Sequence, residues 1–347
     1  MNCSGVMMTE PTEYLSVSYS SLNLADSCLR KFEFNKLYPR RARDVDAYAA
    51  DVGTALHHGY QTFLATQSHD KALWALLESF PYESGFNQTR DDRSLEAAIS
   101  TLEEMLDDAN MIDWELMTIK RPLTAPERAE NEIHAEPIDD SSQVRLPHDP
   151  AGKIVPAVEV PFSLRLKGIN LPDGRGVEFT GFMDAAMRHR THGHVRTLDI
   201  KTHRRYLEDA TSKYRYDSQQ VPYGICLEHI QGHRVEEFEV LYLDCFVDLA
   251  APRVHLYPFM KDSTDLQEWL INTVMRVQRI QRAMEMDYFP RTDGGCLSWN
   301  RPCYFLEVCQ TRDRAAIEEW LLMGEEPEQR PRETPWIVAE IDVFGEG

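Results

Sequence analysis

The sequence lacks three features, each of which would point to a class of protein. No run of about 18 apolar residues is present, so no transmembrane helix is expected. The N-terminus MNCSGVMMTEPTEY has neither the basic nor the apolar region of a signal peptide. No Gly-x-x-x-x-Gly-Lys-Ser/Thr phosphate loop occurs, which excludes a helicase built on that loop. We therefore expect a protein without a membrane partner, in the cytoplasm or, if the source is viral, in the host cytoplasm.

Basic residues are also scarce. The chain has 57 Asp and Glu against 37 Lys and Arg, a net charge of −20, which argues against a general binder of polyanions. The imbalance is local, because residues 91–150 contain 16 acidic and 5 basic residues and residues 311–347 contain 10 and 4. Basic clusters remain at Arg40–Arg43 and between Lys201 and Arg215. Since a nucleic-acid groove needs only local positive charge, the composition does not exclude one.

Apolar periodicity predicts an α/β fold, with a central mixed sheet flanked by helices. The predicted strands are 158–166, 177–188, 194–202 and 236–246, and the predicted helices are 49–65, 71–80, 95–106, 214–229 and 266–284. A chain of 347 residues is long enough for one large domain with an insertion, or for two domains. We divide it into a helical part at 1–80, an acidic insertion or mobile segment at 81–150, a core at 151–310 and an acidic tail at 311–347.

The stretch 181–201 carries the clearest chemical signal. It predicts two strands joined by a short polar loop. Alternation along the second strand places Asp199 and Lys201 on one face and turns Ile200 into the core. Pairing of the strands would bring Asp184, an acid in Phe-Met-Asp-Ala-Ala, beside Asp199. Two carboxylates and a lysine suit a hard divalent cation and a phosphate, although a turn aspartate or an ion pair would give the same pattern.

His57 lies on or near the buried stripe of the predicted helix 49–65. The small residues Gly53 and Ala55 precede it and would let this helix approach another backbone closely. A buried histidine can be a metal ligand, or a core residue held by hydrogen bonds.

Gln219 and Tyr223 are four residues apart, which predicts that they share one face of the helix 214–229. A half-exposed helix face without a functional role gives the same spacing. Pro222 falls inside this helix, and because proline is tolerated only in a first turn, it shifts the expected helix start.

Seven cysteines are present: Cys3, Cys28, Cys226, Cys245, Cys296, Cys303 and Cys309. Disulfides are not expected in a reducing compartment. Three of the seven fall within 296–309, in a loop rich in Gly, Pro and aromatic residues, which favours a metal or cluster site. Cys28 lies on the apolar stripe of a helix predicted to begin near Tyr19, where a lone cysteine is usually core packing.

Several short motifs together resemble the RecB-like branch of the PD-(D/E)XK nucleases. They occur in the order His57, Glu159, Asp184, Asp199-x-Lys201 and Gln219-x-x-x-Tyr223. The flanking sequences also resemble this family, with the patterns Ser-x-x-x-Leu, Cys-x-x-Lys-Phe, Gly-x-x-x-His and Gly-x-x-Asp. One cysteine near the N-terminus and three near the C-terminus resemble the iron–sulfur subset, which includes the AddB nuclease domain and the CRISPR-associated RecB-like exonucleases. The resemblance covers roughly 17–310, with a gap at 81–150.

The resemblance implies a restriction-endonuclease-like core with a metal-dependent catalytic site. Asp184, Asp199, His57 and the carbonyl of Ile200 would hold Mg²⁺ or Mn²⁺. The resemblance implies that Lys201 orients the attacking water or neutralises the phosphate. Glu159 would support the metal site from farther away, and Gln219 and Tyr223 would fix the lysine or touch the DNA backbone.

The iron–sulfur resemblance implies that Cys28, Cys296, Cys303 and Cys309 hold a 4Fe-4S cluster. Such a cluster would join the N-terminal helix to the C-terminal loop and would have a structural role. Relatives often carry Cys-x-x-Cys at the start of the C-terminal trio, whereas six residues separate Cys296 from Cys303 here. Zinc is the alternative, although zinc sites usually use close cysteine pairs, which this chain lacks. The three other cysteines are expected to lie outside the site.

The expected function is metal-dependent hydrolysis of DNA, as an exonuclease on single-stranded ends in recombination, repair or phage DNA metabolism. Any unwinding would come from a helicase or recombination partner. Two alternatives stay open: a CRISPR spacer-processing nuclease, and a non-catalytic module that binds DNA ends and carries a structural cluster.

Overall fold

The computed structural model describes residues 13–37, 48–82, 94–107, 113–122, 152–203, 210–249, 251–292, 295–298, 301–311, 313–323 and 335–343. Its helices are α1 (Tyr19–Ser27), α2 (Leu29–Phe32), α3 (Tyr48–Thr66), α4 (His69–Ser79), α5 (Leu95–Leu106), α6 (Ala210–Arg215), α7 (Tyr223–Gln231), α8 (Ser263–Glu285), α9 (Leu306–Gln310) and α10 (Arg314–Met323). A π-helical turn, Glu33–Leu37, extends α2. The strands are β1 (Tyr14–Val17), β2 (Trp114–Leu116), β3 (Thr118–Arg121), β4 (Lys153–Pro156), β5 (Val158–Asn170), β6 (Gly176–His189), β7 (Val195–His203), β8 (Glu237–Phe246), β9 (Arg253–Asp262), β10 (Leu297–Ser298), β11 (Arg301–Pro302) and β12 (Ile337–Asp342).

Eight of the described strands form one mixed sheet, in the order β12-β5-β6-β7-β8-β9, and β1 and β2 also pair with β6. The pairs β5–β6 and β6–β7 are antiparallel, whereas β7–β8 is parallel. A parallel neighbour requires a crossover, and α6 and α7 lie in this one. The predicted mixed sheet flanked by helices is therefore confirmed, with all four predicted strands present.

Two apolar cores lie against the sheet. One joins it to α1, α7 and α8, through residues such as Leu22, Leu227 and Trp269. The other joins it to α3, α4 and α5, through residues such as Leu56 and Leu102. The helices of each core carry an apolar stripe at helical spacing, so packing against the sheet removes that stripe from water.

Two of the predicted helices differ from the structure near functional positions. Cys28 does not lie within a helix, because its backbone is extended and separates α1 from α2. The predicted helix 214–229 is interrupted, since residues 216–222 form turns and irregular chain between α6 and α7, and its second half is helical from Tyr223. Pro222, which has no backbone N–H, is the N-cap of α7, as expected for a proline that sets a helix start.

Parts of the two acidic segments belong to the folded body. Within 81–150, α5 packs in the second core and β2 pairs with β6, while 83–93, 108–112 and 123–150 lie outside the described residues. Within 311–347, β12 adds to the edge of the sheet as a parallel neighbour of β5. The domain boundaries themselves stay a prediction. Searching the described helices for one long and apolar enough to cross a membrane finds none.

Candidate active site

The pairing of β6 with β7 brings the two predicted aspartates together. Ala185 on β6 faces Leu198 on β7, so Asp184 and Asp199 lie next to this pair on neighbouring strands. Oδ2 of Asp184 accepts a hydrogen bond from the backbone N–H of Ile200, at 2.9 Å. The side chain of Asp199 is 3% exposed. Two nearly buried carboxylates therefore share one end of the strand pair.

Lys201 extends from the same strand as Asp199 and meets it. Its Nζ lies 2.6 Å from Oδ2 of Asp199, as expected for side chains two positions apart on a strand. Ile200 between them is buried in the second core. The face alternation predicted from the sequence is confirmed.

Helix α3 places His57 against the two strands. Nδ1 of His57 lies 3.6 Å from Oδ2 of Asp184, and the backbone of Ile200 is close enough to act on the pKa of the ring. The helix comes this close because residue 53 is glycine: a Cβ there would lie 2.7 Å from Oγ1 of Thr202. The expectation that a small residue permits a close approach is thus confirmed at Gly53.

Gln219 and Tyr223 both contact the site, but from different local structures and with different partners. Gln219 lies in the turn before α7, where its backbone N–H donates to Oδ1 of Asp217 at 2.9 Å. Its Oε1 accepts from Nζ of Lys201 at 2.8 Å. Tyr223, the first residue of α7, donates its hydroxyl to the carbonyl of Phe182 at 2.9 Å. The prediction that these two residues share a helix face is wrong, because Gln219 lies before the helix and Tyr223 is its first residue.

Glu159 stands at a strained point of β5. Its φ of +47° is in the left-handed region, which non-glycine residues rarely adopt. It falls between the pairs Val158–Ala185 and Val160–Met183, opposite Asp184. The side chain is exposed and acts electrostatically on Asp184 and His57. Alternation within β5 gave no sign of this irregularity, which was missed at the sequence level.

Comparison with known proteins identifies the family. The model of the PD-(D/E)XK nuclease superfamily matches residues 16–310, which include every residue of this site. The chain belongs to the PD-(D/E)XK nuclease superfamily. Membership supports a nuclease activity and agrees with the mixed α/β core.

Solved structures give weaker likenesses. A candidate exonuclease from Eubacterium rectale is 16% identical, with a TM-score of 0.39 over 85% of this chain and 92% of its own. The protein SSO0001 is 17% identical, with a TM-score of 0.22 over 37% of this chain and 49% of its own. No curated protein matches the chain.

The electrostatics of this candidate site are set by burial. Burial raises the pKa of Asp199 to about 7, against the opposing effect of the Lys201 ammonium. Burial also raises the pKa of Asp184 to about 6, against the N–H of Ile200 and the charge of Lys201. The pKa of His57 is lowered, mainly because its ring is buried, so the neutral imidazole is favoured. The site therefore holds two carboxylates whose negative charge is poorly compensated.

The donor set fits a hard divalent cation. Asp199 Oδ2 has its lysine ion pair but accepts no hydrogen bond of normal geometry from the described residues. A neutral imidazole and the Asp184 carboxylate lie beside it, and carboxylate, carbonyl and imidazole ligands suit Mg²⁺ or Mn²⁺. Within the described ranges, no three His, Cys, Asp or Glu side chains already surround a common point. Nζ of Lys201 contacts Oδ2 of Asp199, so a cation held by that oxygen would compete with the ammonium for it.

The predicted cysteine ligands come from parts of the chain that meet in space. Cys28 is buried next to Gly295, where an added Cβ would lie 2.9 Å from its own Cβ. The N–H of Cys303 donates to the carbonyl of Cys296 at 2.8 Å. The pKa of Cys309 is raised, mainly by burial, with Cys28 contributing. In the described part of the chain these sulfurs do not form a metal-holding group, so the iron–sulfur cluster stays a prediction.

The other cysteines lie elsewhere. Cys226 and Cys245 are buried in the first and second core, respectively. Cys3 lies outside the described residues.

Proposed function

We propose that this protein is a metal-dependent DNA nuclease that hydrolyses phosphodiester bonds as an exonuclease on single-stranded ends. The proposal is carried by one observation: two nearly buried carboxylates, Asp184 and Asp199, share a strand-pair end with Lys201, whose ammonium is held by Gln219. Recombination, repair or phage DNA metabolism would use such an activity. A helicase or recombination partner would supply the unpaired ends.

The residues that would hold Mg²⁺ or Mn²⁺ are Asp184, Asp199, His57 and the carbonyl of Ile200. Family membership supports a divalent cation, and the buried carboxylates beside a neutral imidazole support this ligand set. A bound cation would lower the pKa of a water molecule and stabilise negative charge on the phosphate.

The polar side chains around the carboxylates would position the reacting groups. Lys201, released from Asp199, would orient the attacking water or neutralise a phosphate oxygen. Gln219 would keep the ammonium within reach, since its Oε1 already accepts from Nζ. Tyr223 would fix the backbone of β6 at Phe182, close to Asp184. Glu159 would add negative charge near the ligands and strengthen their hold on the cation.

The four cysteines Cys28, Cys296, Cys303 and Cys309 would hold a structural 4Fe-4S cluster, with zinc as the alternative metal. Support comes from the packing of the Cys28 segment against the segment that begins at Gly295. A cluster there would tie α1 and α2 to the C-terminal part of the chain.

The test is digestion of single-stranded DNA labelled separately at its 5′ and 3′ ends. Anaerobically purified protein would be assayed with Mg²⁺, Mn²⁺ or EDTA, beside Lys201→Ala and the control Lys71→Ala, which removes an exposed lysine on α4. We expect metal-dependent cleavage by the wild type and by Lys71→Ala, and none by Lys201→Ala, with DNA binding kept in all three. The order of products from each label gives the polarity. Binding without cleavage under every metal condition would contradict a nuclease and favour a DNA-end-binding module.

A further inference from the structure

A cavity of about 750 Å³ opens beside the proposed catalytic residues. Gln219 and Tyr223 belong to its lining, and Gln219 is also bonded to Lys201. The cavity lies between the N-terminal end of α1 and strands β5 and β6. Ligand pockets typically measure about 300–1,000 Å³, so this one is large enough for a nucleotide. The cavity is therefore joined to the candidate site through Gln219, which also contacts Asp199 and Lys201.

Part of the cavity lining is aromatic. Phe182 is 49% exposed, unusual for a large apolar side chain in the middle of a sheet. Tyr19, Phe162 and Phe179 line the same cavity, and the rings of Phe162 and Tyr223 meet edge to face with centroids 5.7 Å apart. A flat apolar ligand that stacks on Phe182 would remove the exposed ring from water. Nucleobases are ligands of this kind.

Another part of the cavity lining is polar. The side chains of Ser18, Ser20 and Thr180 carry hydroxyls, and Arg165 supplies a positive charge. Nε of Arg165 is buried and makes no hydrogen bond to the described residues, while the guanidinium lies over the ring of Tyr14 at 4.8 Å.

The carboxylate in the lining is already engaged. Glu178 accepts a hydrogen bond from Ser163 Oγ at 2.7 Å and another from the hydroxyl of Ser16. Its negative charge is therefore stabilised by neutral donors. The arginine could pair with a phosphate of a nucleotide. The hydroxyls and the carboxylate could form hydrogen bonds with its sugar and with the edge of its base.

We propose that this cavity binds one unpaired nucleotide of the DNA substrate, next to the phosphate that lies at Asp199 and Lys201. The inference rests on the proposed function and adds to it a physical cause for single-strand preference. A base inside a duplex is stacked and paired and cannot enter a concave pocket, whereas the bases of a single-stranded end are free to do so. The pocket therefore selects single-stranded ends by shape rather than by sequence.

The test uses two variants with opposite effects on the cavity. Phe182→Ala removes the stacking surface, and Ser20→Trp fills the space from an exposed position on α1. Trp74→Ala is the matched control, because it removes an aromatic ring that is 68% exposed on α4. Each variant would be assayed for cleavage of a single-stranded oligonucleotide and of bis(p-nitrophenyl) phosphate, which has no nucleotide to place in the cavity. Binding of the oligonucleotide would be measured separately by fluorescence anisotropy in EDTA.

We expect both cavity variants to raise KM and Kd for the oligonucleotide roughly tenfold, the order expected for loss of one stacked base. Hydrolysis of bis(p-nitrophenyl) phosphate by Ser20→Trp should stay at the wild-type rate, and Trp74→Ala should change none of these values. Wild-type oligonucleotide cleavage and affinity in both Phe182→Ala and Ser20→Trp would overturn the inference and leave the proposed function intact. Weaker oligonucleotide binding by both variants, in a protein that cleaves neither substrate, would overturn the nuclease and keep the nucleotide pocket.

Discussion

Oε1 of Gln219 accepts a hydrogen bond from Nζ of Lys201 at 2.8 Å, and Nε2 of the same amide donates to Oδ1 of Asp199 at 3.3 Å. One side chain thus contacts both members of the Asp-x-Lys pair. Gln219 is itself held by Asp217, whose carboxylate accepts from the backbone N–H of residue 219. We infer that this amide sets the distance between the ammonium and the carboxylate, and so positions both for the reaction.

Gln219→Leu should lower kcat about tenfold or more, because a hydrogen bond to a charged group contributes about 1.5–3 kcal/mol. KM for the oligonucleotide should change much less if Gln219 acts through Lys201. The measurement is kcat against pH, because loss of the amide donor to Asp199 should raise the pKa of that buried carboxyl further. Gln219→Glu keeps the bond to Lys201 but repels Asp199, so it should restore only part of the rate. A wild-type rate and pH profile in Gln219→Leu would rule out a positioning role.

Removal of a buried carboxylate should make the metal-free protein more stable at high pH. Burial raises the pKa of Asp184 and Asp199 from 3.8 to about 6 and about 7, so the folded protein binds more protons than the unfolded chain between about pH 4 and 7. The free energy of unfolding contributed by these groups therefore falls as pH rises through that window. In EDTA, Asp199→Asn should raise Tm at pH 8, and the gain should shrink toward pH 4.

Thermal unfolding from pH 4 to 8, with and without Mg²⁺, checks this prediction. Mg²⁺ should raise the Tm of the wild type more at pH 8 than at pH 5, because the cation binds the ionised carboxylates. Asp107→Asn, at the exposed end of α5, is the control and should not show this pH pattern. If Asp199→Asn raises Tm by the same amount at pH 4 and at pH 8, the result would argue against a raised pKa of Asp199.

The close approach of α3 to β7 should depend on the pair Gly53 and Thr202. Gly53→Ala puts a Cβ 2.7 Å from Oγ1 of Thr202, so either the Thr202 side chain must rotate or α3 must shift and carry His57 with it. Alanine favours the helix by about 1 kcal/mol, yet we expect the variant to be less stable and less active than the wild type. In the Thr202→Ala background the same change should be tolerated, with a coupling of about 0.5–3 kcal/mol. Urea unfolding and cleavage rates of the wild type, the two single variants and the double variant measure this coupling. If the effects of the two single changes simply add in the double variant, the contact between residues 53 and 202 has no effect.

Cys303→Ala should cost stability and the colour of an iron–sulfur cluster. One of four thiolate ligands is lost, and the cluster would no longer join Cys28 to the C-terminal segment. Absorbance near 400 nm, iron content and Tm of anaerobically purified protein are the measurements. Cys226→Ala, in the first core, should keep colour and iron content. If Cys303→Ala matches the wild type in stability and activity, the cluster assignment is wrong.

The correct predictions from the sequence came from side-chain periodicity within single strands and helices. Alternation over 194–202 placed Asp199 and Lys201 together because the side-chain period of a strand is two, whatever the fold around it. The helical spacing around His57 likewise put that residue near the buried stripe, and the structure has α3 over the second core. The i, i+4 spacing of Gln219 and Tyr223 predicted a shared helix face wrongly, because Pro222 and the turns before it interrupt the helix.

The sequence by itself determined the strands, the main helices and the Asp-x-Lys pair, because these follow from side-chain periodicity over a few residues. Only the tertiary structure decided that Gln219 bridges Asp199 and Lys201, that α3 brings His57 to Asp184, and that Glu159 is strained. These relationships join segments that are distant in the chain, and they depend on strand register, crossover geometry and the close approach at Gly53. The nucleotide-sized cavity also depends on the tertiary structure, since α1, β5, β6 and the turn before α7 form it together. No single stretch of the sequence contains enough of such a site to predict it.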